Sequence, residues 1–138
     1  MKRAFTVSTS QTGRLRRVRV VVYDTADEMR QAARRYRRGA DDGYINAIGL
    51  SQPRSQYSFA ADGSEVAYPG AGVVRLVKDE MGAAVLSHEM VHMALAIYRE
   101  DFGETALDSM ENEEVLCHIV SDLVRSANRQ FWEAGIYS

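Results

Sequence analysis

Apolar and polar residues alternate, then recur at helical spacing, then alternate again along this chain, and these shifts of period mark out its elements. Val18, Val20 and Val22 alternate with Arg17 and Arg19, which predicts a strand over Leu15 to Tyr23. Val21 and Tyr23 make its end apolar on both sides, so it enters the core as it proceeds. Thr25-Ala26-Asp27-Glu28 then has the spacing of a capping box, in which hydroxyl and carboxylate each satisfy an orphan N–H of a first helical turn. Met29, Ala32, Ala33 and Tyr36 recur at helical spacing up to Gly39, which predicts an amphipathic helix. From Tyr44 to Tyr68 the pattern weakens. Tyr44 to Leu50 and Ser55 to Phe59 predict short strands, with Asp62-Gly63 as a hairpin turn.

Val73-Val74-Arg75-Leu76-Val77 is a β-branched run and predicts the last strand. The helix after it, from Glu80 to about Tyr98 with Asp79 as N-cap, carries Val85, Leu86, Val91, Met93, Leu95 and Ile97 on nearly every side, so a central, buried position is expected. Glu100 to Asn112 is acidic, contains Gly103 and predicts a connecting loop. A final helix is expected from about Glu111 to Glu133. No internal repeat or low-complexity tract interrupts this order.

A length of 138 residues fits one domain, 1–138, and 46% hydrophobic residues supply a single core. The order of elements implies an α+β fold, with a strand and helix first, a small mixed or antiparallel sheet, and two packed helices last. The start lacks the apolar run of a secretory signal, and no stretch approaches the ~20 apolar residues that cross a bilayer. A soluble cytoplasmic protein with no membrane partner is therefore expected. Cys117 is the lone cysteine, so no internal disulfide forms, and it is expected to be a small buried packing residue. Charge is uneven. Residues 1–39 carry eleven Lys and Arg against three Asp and Glu, a balance of +8, and the rest carry six against sixteen, a balance of −10. A basic half can bind nucleic acid or an acidic protein, but without interleaved aromatics the plainer reading of Arg16, Arg17, Arg19, Arg34, Arg35, Arg37 and Arg38 is solvated faces of a strand and a helix.

His88-Glu89-Met90-Val91-His92 carries the chemistry. On a helix, imidazoles at i and i+4 share one face and can present nitrogens to one ion, with a carboxylate beside them for a bound water. The plain alternative is two hydrogen-bonded histidines on an apolar helix. A hydrolytic zinc site needs a third ligand, and downstream Glu113, Glu114 and His118 are candidates; first-turn acids favoured by the helix dipole are the ordinary explanation of the glutamates.

The HExxH helix, the strand before it and the stretch Glu111 to His118 resemble the minimal zincins, HExxH zinc metallopeptidases of gluzincin type, over about half of the chain. In those relatives the glutamate ligand is followed by small residues at +3 and +7 and a polar residue at +4. Glu114 fits with Cys117, Ser121 and His118, whereas Glu113 would place Leu116 and Val120 at the small positions. His118 departs from the relatives with an aspartate there. The resemblance implies one Zn2+ per chain held by His88, His92 and Glu114, Glu89 as general base and then acid, and a peptide or protein substrate. It also implies that the strand Val73 to Val77 lies at the sheet edge and pairs with extended substrate. A second function class is a catalytically inactive zincin-like module whose basic half binds nucleic acid or an acidic protein. Tyr98 and Tyr137 are candidates for an oxyanion-stabilising hydroxyl, against the plainer reading as packing residues.

Overall fold

The valine alternation forms β2 (Arg16–Tyr23), the centre from which the sheet extends. It pairs antiparallel with β1 (Lys2–Thr9), with Thr6 beside Arg19 and Val7 beside Val18. On its other side it pairs parallel with β4 (Gly72–Val77), Val20 beside Val74. β3 (Gly49–Pro53) lies antiparallel to β4, Ser51 beside Val74, and the order is β1-β2-β4-β3. The architecture, mixed α+β, comes from a computed structural model that describes residues 2–36, 47–53, 70–103 and 109–137.

α1 (Ala26–Tyr36) follows β2 and begins with the hydroxyl leg of the expected capping box: Glu28 N donates to Thr25 Oγ1, and that hydroxyl in turn donates to Glu28 Oε1, both at 3.2 Å. It covers one face of the sheet, where Met29 packs with Val21, Tyr23, Val73 and Val77. Arg75 is buried on this face, donating to Gln52 Oε1 (2.7 Å) and Tyr23 OH (2.6 Å), while Gln52 donates to the Ala33 carbonyl (3.1 Å). This polar chain ties β2, β3 and β4 to α1. The larger core lies on the opposite face, under α2 (Ala83–Phe102) and α3 (Met110–Glu133).

Several expectations shift. β1 was not anticipated, because only Phe5 and Val7 mark its inward side before the buried Thr9. β3 starts near the end of the strand expected over Tyr44 to Leu50, whereas Gly39, Ser55 to Phe59 and Asp62-Gly63 lie outside the described residues. β4 is flanked on both sides, so it has no free edge, and among the described residues β3 is the edge strand on the β4 side of the sheet. Asp79 is not the N-cap: Lys78 N donates to Tyr23 O (2.8 Å) and Glu80 N to Val77 O (3.0 Å), closing a turn, and α2 begins after Gly82 with no side-chain cap. α2 runs on to Phe102, where Gly103, at φ 75°, caps it through Arg99 O. Ser109 caps α3, its hydroxyl accepting from Asn112 N at 3.1 Å.

α2 is not surrounded. Leu86, Met90, Met93, Ala94, Ile97 and Tyr98 face the core, while His88, Val91 and His92 are exposed. α3 turns Ile119, Leu123, Ala127 and Phe131 inward at four-residue spacing. Phe131 meets Phe5 edge to face with centroids 5.3 Å apart. Cys117 and Ser121 are exposed rather than packed, because the continuous apolar stripe of α3 lies on its other side.

One ion pair fixes the far end of α2. Arg16 Nε donates to Asp101 Oδ2 at 3.0 Å, its Nη2 closes a second leg to Oδ1, and the Thr12 hydroxyl donates to the same carboxylate. Arg16 is thus not a solvated strand residue, and the Asp101 side chain is only 1% exposed. The Arg16 hydrogen bond above all, with Thr12 adding to it, holds the Asp101 carboxyl below its ordinary range. A folded-state value below the unfolded ~3.9 gives stability that is complete above that unfolded value and lost as pH falls through the folded one. Urea midpoints should therefore fall on acidification below about pH 4, and Asp101→Asn should be less stable at neutral pH with a shallower acid decline. Parallel acid declines in the two proteins would remove the pair as a source of that stability.

Candidate metal centre

α2 builds the centre because residues four apart stack on one helical face. His88 Nε2 and His92 Nε2 stand 3.3 Å apart, with ring centroids 4.9 Å apart and planes at 75°. A tetrahedral ion with ~2.0–2.1 Å bonds holds neighbouring nitrogens about 3.3–3.4 Å apart, so the separation suits a shared ion. Without one, the same contact needs one ring to donate N–H and the other to accept. Ligand atoms of His88, Glu89 and His92 all lie within 4.8 Å of one another, and among the described residues this is the one such group of three. Two imidazoles and a carboxylate are donors that borderline transition ions accept, whereas Ca2+ and Mg2+ favour all-oxygen sets.

Glu89 differs from its neighbours in burial. It is 8% exposed, between a helix interior and the edge strand. Burial pushes its carboxyl above the ordinary range, and the adjacent His88 and His92 pull it back in part. β3 supplies the wall. A Cβ on Gly49 would lie 2.8 Å from Val85 Cγ1 and 3.4 Å from both Cγ and Oε2 of Glu89, so the strand approaches this closely because position 49 has no side chain. Ser51 lies on the same side of β3, and its buried Oγ has no hydrogen-bond partner among the described residues. Leaving such a hydroxyl unpaired costs about 1–3 kcal/mol.

The expected third ligand lies elsewhere. Glu114 projects from the outer face of α3, 65% exposed, with Oε2 3.5 Å from His118 Nε2, and neither residue joins the α2 group. Glu113 is exposed and also outside it. The physical reason is the phase of α3: the stripe at Ile119 and Leu123 faces the core, which turns Glu114, Cys117 and His118 outward. Tyr98 lies on the core side of α2 with its ring against Phe102, and Tyr137 donates to Asn128 Oδ1 at 3.0 Å, so both are packing residues. Gly49 and Ser51 were not legible as site residues. Their one signal is a glycine and a small polar residue in a strand that must lie against a helix. No family model, no curated protein and no solved structure matches this chain.

Proposed function

We propose that this protein is a zinc-dependent endopeptidase, with His88 and His92 as the two zinc ligands that the described residues supply besides the base, and Glu89 moving the proton. The observation that carries the reading is the pair of imidazole nitrogens 3.3 Å apart with a buried carboxylate beside them. When bound there, zinc supplies a water of pKa ~7 and a Lewis acid for the substrate carbonyl. Glu89 takes the proton of the attacking water and gives it to the departing amine, acting as general base and then general acid. Its partial burial serves this role, since a carboxylate with raised proton affinity is the stronger base.

The substrate strand pairs with β3 rather than with Val73 to Val77, because β4 already has neighbours on both sides. An extended peptide added to the side of β3 that has no strand neighbour among the described residues passes Gly49 and so runs beside Glu89. Backbone pairing of this kind selects flexible or unfolded segments and reads side chains only at alternate positions. Ser51, whose buried hydroxyl has no partner among the described residues, is positioned to bond a peptide or an ordered water that arrives there.

Protein purified without a histidine tag should carry about one zinc per chain, and His88→Ala or His92→Ala should lose it. Glu114→Ala should retain it, because that carboxylate points away from the α2 group. Elemental analysis of the three variants checks this. Zinc absent from the untreated protein would end the metal reading, and zinc lost from Glu114→Ala alone would return the third ligand to α3.

A further inference from the structure

We propose that the half of the sheet left open on the side opposite the metal helix is a docking surface for duplex nucleic acid, engaged through its phosphate backbone. Residues 1–23 hold six cations, Lys2, Arg3, Arg14, Arg16, Arg17 and Arg19, and no acid at all. The fold sorts them into two groups. Arg14 and Arg16 reach Asp101, Arg16 also lies 3.6 Å from Glu100, and Arg3 donates to the Ala134 carbonyl just past α3. Lys2, Arg17 and Arg19 are exposed, and none has an acidic partner among the described residues.

Register puts these three on one face, Arg17 and Arg19 in its open half and Lys2 at the far end beside Tyr23. Lys2 lies beside Tyr23, Thr6 beside Arg19 and Ser8 beside Arg17, so their side chains share the face that α1 covers further along. α1 packs over Val21, Tyr23, Val73 and Val77, leaving the start of β2 and the neighbouring part of β1 uncovered among the described residues. A recess of about 320 Å³ opens there, lined by Thr6, Arg17, Arg19 and Gly70 among others. Gly70 belongs to this floor because a Cβ would lie 2.4 Å from the Arg17 carbonyl oxygen. Arg17 and Arg19, two residues apart on one strand, stand about 6.6 Å apart along it, so both can reach one phosphate backbone.

The chain's net charge of −2 gives no general attraction for a polyanion, so attraction must come from this separated patch. Duplex DNA, with a charge every ~1.7 Å of axis, concentrates counter-charge more densely over a flat surface than a flexible acidic peptide does. Among the described residues the open face carries no exposed aromatic: Tyr23 is buried under α1, and Phe5 turns to the other side against Phe131. The described residues offer phosphate contacts rather than stacking platforms, so the proposed contact is to phosphates without sequence preference.

Fluorescence anisotropy of the full chain with a short labelled mixed-sequence DNA duplex tests this. Three phosphate contacts give a log–log salt slope of about −2.7, a weakening of roughly 40-fold between 50 and 200 mM salt. Arg17→Ser with Arg19→Ser should reduce the slope to about −0.9 and weaken binding at low salt. Arg125→Ser with Arg129→Ser, which removes equal charge from exposed positions on α3, should leave the slope unchanged. Zinc content and thermal melts confirm that both double variants are folded. A slope near zero, equal loss from the α3 pair, or equal binding of polyglutamate or single-stranded DNA would overturn the proposal. Because the readout is binding by a face remote from α2, its failure leaves the peptidase reading untouched, and the converse holds.

Discussion

Glu89→Gln is expected to lower kcat/KM on a susceptible peptide by about 100- to 10,000-fold, the range for a lost general base, and to leave the zinc content unchanged. Glutamine is nearly isosteric with glutamate, so it keeps the close approach to Gly49 that a smaller residue would lose. It cannot take a proton from water. On the proposed reading the metal ligands are the flanking imidazoles, so the change removes proton transfer without emptying the site. Loss of zinc from Glu89→Gln would mean that the carboxylate is itself a ligand, which the 4.8 Å grouping permits but the proposed mechanism does not. A variant that retained more than about one tenth of wild-type turnover would assign the proton to another group. His92→Ala provides the contrast, since it should lose metal and activity together.

What the sequence made legible, and what it did not, follows from the range of each signal. The metal pair depends on five adjacent residues and on helical geometry, so His88 and His92 come together as their spacing implies. The capping box at Thr25 and Glu28 is equally local. The phase of α3 is not local. Glu114, Cys117 and Ser121 fit a template of small residues, yet Val115, Leu116, Ile119 and Leu123 offer a wider apolar stripe, and burial of that stripe decides the rotation. Strand order is less local still. Val73 to Val77 has apolar residues on both sides, as a strand covered on both faces does, but that pattern does not say how many strands flank it. β3 is short and contains Gly49, Ser51 and Pro53, so nothing in its own composition announces a strand. Its position is fixed by close approach of Gly49 to Val85 and Glu89, contacts visible only once helix and sheet are assembled.

A like close approach at Gly72 yields the second large effect: Gly72→Val is expected to lift β3 from the sheet and destabilise the fold by about 3 kcal/mol, the upper end for overpacking. A Cβ at this position would lie 2.6 Å from the Gln52 carbonyl oxygen, 2.8 Å from Pro53 Cα and 2.8 Å from Met93 Cε. The methionine end can swing aside, but the other two atoms are backbone of the strand paired to Gly72, so relief requires separating β3 from β4. β3 carries Gly49 against Glu89, hence peptide turnover should fall even in the folded fraction. Zinc should remain, because both imidazoles belong to α2. Gly82→Ala is the matched control: at φ −118° with nothing within 4 Å of its Cβ, it should stay within about 0.5 kcal/mol of wild type. Urea melts and a peptide assay on both variants separate the outcomes. A Gly72→Val protein as stable and active as the parent would mean that β3 does not lie against β4 and Met93, and the substrate edge beside Glu89 would lose its foundation.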